Sequence, residues 1–334
     1  MKKFFFVLAV LVGGWPQPSI TQAAGPVEIK FANLAPEGSA WANVMTEMDK
    51  EVQAASGGRL KFKFYWGGVM GDEPDMIRKL RINQIQAGGF TGLGLGTIVP
   101  AIRLLELPAA FTDTTALDQA KEKFLPQFKE EFQKKGFVFL GYADVGPINI
   151  FANKPIRSMA DMKGAKFWMW EGDPLAQSAF KALQVAPIPL PVPDVLTSLQ
   201  TNMIDAVYGP PLGVTALQWH TRVKYVMDFR FNYAMGGFII DKKFYDSLPP
   251  DLKKILTETS QKYCLKLVER TRSDNDKALA ALKAAGIQVV TVAEKDKTEM
   301  EALFKKMWQE LVGKLYSQEQ LEELKKIVVA GKGV

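Results

Sequence analysis

The chain reads as an α/β protein of two domains. Three observations predict this. An alternating apolar segment, a segment of helical period and a second alternating segment follow one another near the start, the βαβ order that favours a parallel sheet. The 334 residues exceed the roughly 250–300 that one hydrophobic core usually supports. A charged amphipathic pattern over about 250–284 is long enough to bridge two domains.

Ahead of these elements, Met1-Lys2-Lys3 precedes an apolar run, Phe4–Val12, and small residues follow at Thr21, Ala23 and Ala24. Residues 1–24 therefore read as a secretory signal peptide, and the mature protein is expected to be soluble and exported. The apolar run is about half of the roughly 18–20 residues that a bilayer crossing needs, and no later uninterrupted stretch reaches that length. Val27–Leu34 alternates as the first strand. Trp41, Val44, Met45, Met48 and Val52 then fall on one helical face, which Gly57-Gly58 ends. Leu60–Trp66 alternates as a second strand before a turn at Gly67-Gly68. A second helix is predicted over about Glu73–Asn83, and a short apolar segment over Gln86–Phe90.

The run Gly92-Leu93-Gly94-Leu95-Gly96 lacks both the dinucleotide-binding register and a phosphate-loop lysine, so it reads as a close-packed loop near a cleft. Phe124, Phe128 and Phe132 mark a helix, and two strands are predicted at Phe137–Tyr142 and about Ile148–Asn153. Ser158–Asp161 caps a short turn before the strand Ala165–Trp170. Leu175, Ala179 and Leu183 form a helical face; Pro187, Pro189, Pro191 and Pro193 impose an extended path; Asp194 is placed to cap the next helix. Beyond the long helix, Met300, Leu303, Phe304, Met307, Trp308 and Leu311 make another amphipathic helix. Without a repeat or a low-complexity linker, the domains are expected to be interwoven by chain crossovers.

Composition restricts the chemistry. One histidine, His220, and one cysteine, Cys264, do not assemble a nitrogen or sulfur metal site of three or four ligands, and no cofactor is indicated. A serine-histidine-acid triad would have to use His220, which sits beside Trp219 without a nucleophile motif, so no enzyme is expected. Cys264 lies among apolar neighbours of a helical pattern and reads as a structural thiol. The formal charge of +6, which loses two with Lys2 and Lys3, is spread along the chain without an arginine-rich block, a poor fit to nucleic acid.

Three stretches taken in order are more specific: Phe64-Tyr-Trp-Gly-Gly-Val-Met-Gly-Asp-Glu73 with Leu107-Pro108 after it, Ile156-Arg-Ser-Met-Ala-Asp-Met-Lys-Gly-Ala-Lys166, and Asp194-Val-Leu-Thr-Ser-Leu-Gln-Thr-Asn-Met-Ile-Asp205. Together they resemble the solute-binding subunits of tripartite ATP-independent periplasmic (TRAP) transporters, the DctP-like family. The resemblance implies a periplasmic binding protein fold of type II-like form, with two α/β domains, a hinged cleft and a long helix across both. It implies residues 25–145 plus about 235–272 as domain I and 146–234 plus about 273–334 as domain II, with the helix at about 250–284 bridging them. Its implied partners are a small-molecule ligand, the TRAP membrane subunits and, for an apolar cargo, an additional periplasmic tetratricopeptide-repeat protein.

The usual polar anchors of that family are missing here. The positions that carry its carboxylate-gripping arginines are Trp168 and Ile148, and Gly209 stands where an asparagine is usual. An indole offers one neutral donor, whereas a carboxylate in a dry cleft needs charge-assisted bonds. The expected ligand is therefore hydrophobic or aromatic, with Trp168, Trp170, Tyr208, Phe90, Ile148, Gly209, Trp41 and Trp66 as candidate wall. The alternatives stay open: a strand covered on both faces explains Trp168 and Trp170 without a ligand, Phe90 and Tyr208 serve equally as core, and Arg78, Arg103 or Arg157 could hold an organic acid. Glu171, at the strand end, reads as a solvated charge.

Overall fold

A computed structural model describes residues 25–111 and 113–331; the signal peptide assigned to 1–24 lies outside them. The strands are β1 (Val27–Ala32), β2 (Leu60–Tyr65), β3 (Ala87–Thr91), β4 (Phe137–Ala152), β5 (Trp168–Trp170), β6 (Ile188–Leu190), β7 (Ala206–Gly209), β8 (Tyr225–Met227), β9 (Asn232–Asp241) and β10 (Gln288–Val290). The opening βαβ unit is as expected: β1 pairs in parallel with both β2 and β3. The intervening helix, Ala40–Ala55, is capped by the Ser39 side chain and buries Ala42, Val44, Met45, Met48 and Val52.

The architecture is two α/β lobes joined by one long antiparallel pair. Strands run β10-β8-β4-β9-β3-β1-β2, with β7 also on β4, while β5 and β6 form a separate parallel pair. One end of the β4–β9 ribbon completes the first-lobe sheet through β3, and the other end of β4 carries β7 and β8 of the second lobe. The sequence predicts two strands here, Phe137–Tyr142 and about Ile148–Asn153. The structure keeps 16 residues in one strand and absorbs the irregularity as register shifts at Phe139/Gly141 and Asp144/Gly146. Gly146 sits at φ 130°, and a Cβ there would collide with the Asn275 amide of the long helix.

That helix, Pro250–Ala284, spans both lobes as expected. Leu252, Leu256, Tyr263, Cys264 and Leu267 share a core with Ile29, Phe31 and Met45 of the first lobe, whereas Leu282 packs with Phe151, Trp168 and Val195 of the second. Between these ends, Asn275 donates to the Val145 carbonyl and accepts from Leu212 N, tying the helix to β4 and to the second lobe. Beside it, buried Asp144 on β4 pairs with Lys121 and with Arg272 (2.7 Å). The chain therefore crosses between lobes at a point fixed by charge and amide bonds, not by apolar packing alone.

Three further expectations are revised. Gly92–Ile98 is a short helix rather than a loop, begun by the Thr91 hydroxyl accepting from Leu93 N; its glycines lie where any Cβ would strike Glu106, Glu73, Phe90 or Arg103. Asp194 ends a 3-10 turn in right-handed helical conformation and makes no side-chain cap, so Val195–Gln200 starts without one. The C-terminal helix Gln318–Gly331, placed with domain II from sequence, shares its core with the first lobe: Leu321, Leu324 and Val328 join Phe124 and Phe128 of the helix Thr114–Lys134.

Candidate functional site

The β5 strand sets the geometry of the cleft. Its alternation places Phe167 and Met169 in a core with Phe180 and Phe304, and turns Trp168 and Trp170 to the opposite side. Trp168 is only 2% exposed: its indole N–H donates to the Leu190 carbonyl (2.9 Å), its ring stacks on Tyr208 at 4.8 Å and it meets Trp219 edge-on at 5.2 Å. Its indole donor is thus already used, and it offers a ligand only ring surface. Tyr208 accepts a bond from Trp170 N (3.1 Å), and burial pushes its hydroxyl well above the ordinary tyrosine range, so it stays neutral.

A cavity of about 260 Å³ opens between the lobes. The first lobe contributes Asn33–Pro36, Trp41, Phe90 and Arg103 to its lining, and the second contributes Ile148, Trp168, Trp170, Tyr208, Gly209 and Trp219. Seven of the eight residues singled out from sequence, Trp168, Trp170, Tyr208, Phe90, Ile148, Gly209 and Trp41, are brought together there. Trp66 is not: it is absent from the lining and its ring stacks on Phe64 at 4.5 Å, because the end of β2 lies on the apolar face covered by the first-lobe helices. Glu171, Arg78 and Arg157 are exposed; Arg78 pairs with Asp75, and none of the three lines the cavity.

Two polar contacts across the cleft were not visible in the sequence. Asp72, the N-cap of the first-lobe helix Glu73–Arg81, accepts from the Trp170 indole (2.8 Å) and from Val192 N (3.2 Å) of the second lobe. Burial raises its carboxyl above the ordinary range, although these donors pull the other way. Second, Arg103 of the 3-10 helix Pro100–Glu106 is 5% exposed and reaches both oxygens of Asp173 at 2.9 Å through Nη2 while Nη1 meets Glu106 at 3.1 Å. Asp173 also caps the second-lobe helix Pro174–Ala182 through Leu175 N and Ala176 N. Glu106 further accepts from Met235 N on β9 (2.9 Å), and burial raises its pKa despite the guanidinium beside it.

Glu73 adds a carboxyl to the same lining, bound by Thr91 N (2.7 Å), Gly94 N (2.7 Å) and the Thr91 hydroxyl (2.9 Å). Complete burial raises its pKa from 4.5 to about 8 against those donors, so it is largely neutral at pH 7. Among the described residues, Arg103 is the one basic side chain lining the cavity, and it already faces two carboxylates. The remaining wall is mainly aromatic and aliphatic, with Asn33, Ser39, Thr91 and Asn232 as its uncharged polar members. Neither His220 nor Cys264 lines the cavity: among the described residues the imidazole of His220 has one hydrogen bond, to the Val214 carbonyl, and Cys264 lies in the first-lobe core with burial raising its thiol pKa.

Comparison with known proteins agrees with the fold. The family described as bacterial extracellular solute-binding protein, family 7, matches residues 31–315. The 2,3-diketo-L-gulonate-binding periplasmic protein YiaO of Escherichia coli is 28% identical over 248 residues, 72% of this chain and 74% of that one. The C4-dicarboxylate-binding periplasmic protein DctP of Shewanella loihica is 22% identical over 250 residues, 75% and 73% of the two chains. Among solved structures, the sugar acid binding protein DctPAm of Advenella mimigardefordensis with galactonate superimposes with TM-score 0.86 at 20% identity, covering 92% of this chain and 99% of that one. A TRAP periplasmic solute-binding protein of Bradyrhizobium with galacturonate gives TM-score 0.83 at 25% identity, covering 91% and 100%.

Proposed function

The chain belongs to family 7 of the bacterial extracellular solute-binding proteins, the periplasmic receptors that serve TRAP transporters rather than enzymes, and from that premise we propose that it captures a neutral, predominantly apolar or aromatic small molecule. The observation that carries this reading is the state of Arg103: the one lining cation among the described residues is charge-paired to Asp173 and Glu106 before any ligand arrives. An acid entering this cleft would find both terminal nitrogens of the guanidinium ion-paired, with the buried Nε alone unbonded, and an unpaired buried ion costs several kcal/mol. Apolar burial gains roughly 0.8 kcal/mol per methylene, and Trp168, Trp170, Tyr208, Trp219 and Phe90 offer ring surface for it. Tyr208 supplies a neutral hydroxyl for one polar atom of the ligand.

On this reading the ligand favours the closed arrangement of the lobes, with Asp72 meeting Trp170 and Val192 when the cleft shuts. The hinge would lie at Asp144–Gly146 on β4 and its partner residues on β9, with 25–145 and 146–234 as the first segments of the two domains. The membrane subunits expected for the family would receive the closed form.

A second reading keeps an organic acid as ligand, and the relatives supply its motive: those quoted above are named for carboxylated solutes. It requires Arg103 to exchange Asp173 for the ligand. Tryptophan-fluorescence titration separates the two. Galactonate and glucuronate are expected to leave the emission unchanged up to millimolar concentration, while neutral aromatic ketones and medium-chain alcohols shift it saturably. Saturable binding of the sugar acids alone would overturn the neutral reading.

A further inference from the structure

We propose that Asp173 is the specificity-determining residue of the cleft: by occupying the guanidinium of Arg103 from the opposite lobe, it stands where a ligand carboxylate would bind and excludes acids in favour of neutral compounds. This deepens the neutral-ligand reading and rests on it.

The geometry gives the reason. Arg103 sits on the first lobe and Asp173 on the second, yet Nη2 reaches both Asp173 oxygens at 2.9 Å, so the bond spans the cavity wall where the lobes meet. Asp173 is itself fixed: it is 6% exposed, and its Oδ1 accepts from Leu175 N (2.9 Å) and Ala176 N (3.2 Å) at the start of Pro174–Ala182. Swinging it away to admit an acid would break that cap as well as the ion pair. Glu106, pinned by Met235 N, holds the other side of the same guanidinium. Asp173 and Glu106 therefore take both terminal nitrogens of the guanidinium, and an acid entering the cavity meets two carboxyl groups of the protein where its own would have to bind. A neutral ligand meets none of this, and the cross-cleft ion pair is made without its help. In this receptor the protein itself provides the carboxylate on its arginine.

The test compares an acid with its neutral isostere in the full mature chain, so that any effect of a variant on closure cancels in the ratio. The probes are 4-phenylbutanoate and 4-phenylbutanamide, with affinities measured by calorimetry at pH 7. The wild type is expected to prefer the amide. Asp173→Asn removes the charge and retains an oxygen suited to the cap, and it is expected to shift the acid-to-amide affinity ratio by about tenfold or more towards the acid. Asp173→Ser, which also caps, provides a second variant should the first fold poorly. A wild type that prefers the acid would sink the neutral-ligand reading. A wild type that prefers the amide, with a ratio unmoved in both variants, would leave that reading standing and overturn the role given to Asp173.

Discussion

Replacing Arg103 with methionine is expected to lower folding stability by about 3–5 kcal/mol. Methionine approximates the stem of arginine, so the loss comes from the charges left behind: Asp173 and Glu106 remain buried, at 6% and 4% exposure, without their shared cation. Their backbone donors, Leu175 N, Ala176 N and Met235 N, offset only part of that cost. Urea unfolding of the purified variant measures it, and a loss below about 1 kcal/mol would show that the pair contributes little net energy. The triple variant Arg103→Met, Glu106→Gln, Asp173→Asn is expected to recover most of the loss, since removing a whole buried ion network is often near neutral. It should also retain binding of neutral apolar probes, because none of the three groups is assigned to hold them.

The second large effect is a pH dependence from Glu73. Its pKa is 4.5 in an ordinary setting and about 8 when buried in the fold. Between these values the folded state holds a proton that the unfolded chain has released, so stability falls as pH rises from about 4.5 and levels off above about 8. The full window amounts to on the order of 5 kcal/mol. Glu73→Gln removes this titration. The variant is expected to be less stable than wild type near pH 5, because an amide NH₂ would oppose the N–H of Thr91 or Gly94, yet flatter from pH 5 to 8. Parallel stability curves for the two proteins would refute the assignment.

Much of this architecture is legible from local patterns, and what is not has a physical reason. The βαβ opening and the helix Pro250–Ala284 are carried by apolar periodicity over many residues, a signal that tertiary context rarely reverses. Strand β4 defeats the same method because Gly141 and Gly146 mark bulges, not turns; the first lies against Cys264 and the second against Asn275, contacts that only the folded chain reveals. The run Gly92–Gly96 reads as a loop once the nucleotide-binding patterns fail, yet it opens a helix whose glycines are small for the sake of Glu106, Glu73 and Arg103 packed against them.

The cleft divides in the same way. Two-residue alternation on β5 turns Trp168 and Trp170 to one side, which sequence alone supplies. It does not supply what their indole nitrogens bind. Trp168 reaches Leu190, 22 residues away, and Trp170 reaches Asp72, 98 residues away, so both donors are committed within the protein. The Arg103–Asp173 pair, separated by 70 residues, is equally invisible; Asp173 before Pro174 signals a helix cap and nothing more. Trp66 failed as a wall residue because a strand end gives no indication of which face a neighbouring helix covers.

The most direct measurement is native mass spectrometry of the receptor isolated from periplasm without added solute, followed by extraction and identification of what it carries. A neutral species is expected, largely hydrocarbon or aromatic and small enough for a cavity of about 260 Å³, released on denaturation in near-stoichiometric amount. Recovery of a short dicarboxylate or a sugar acid in that position would contradict it.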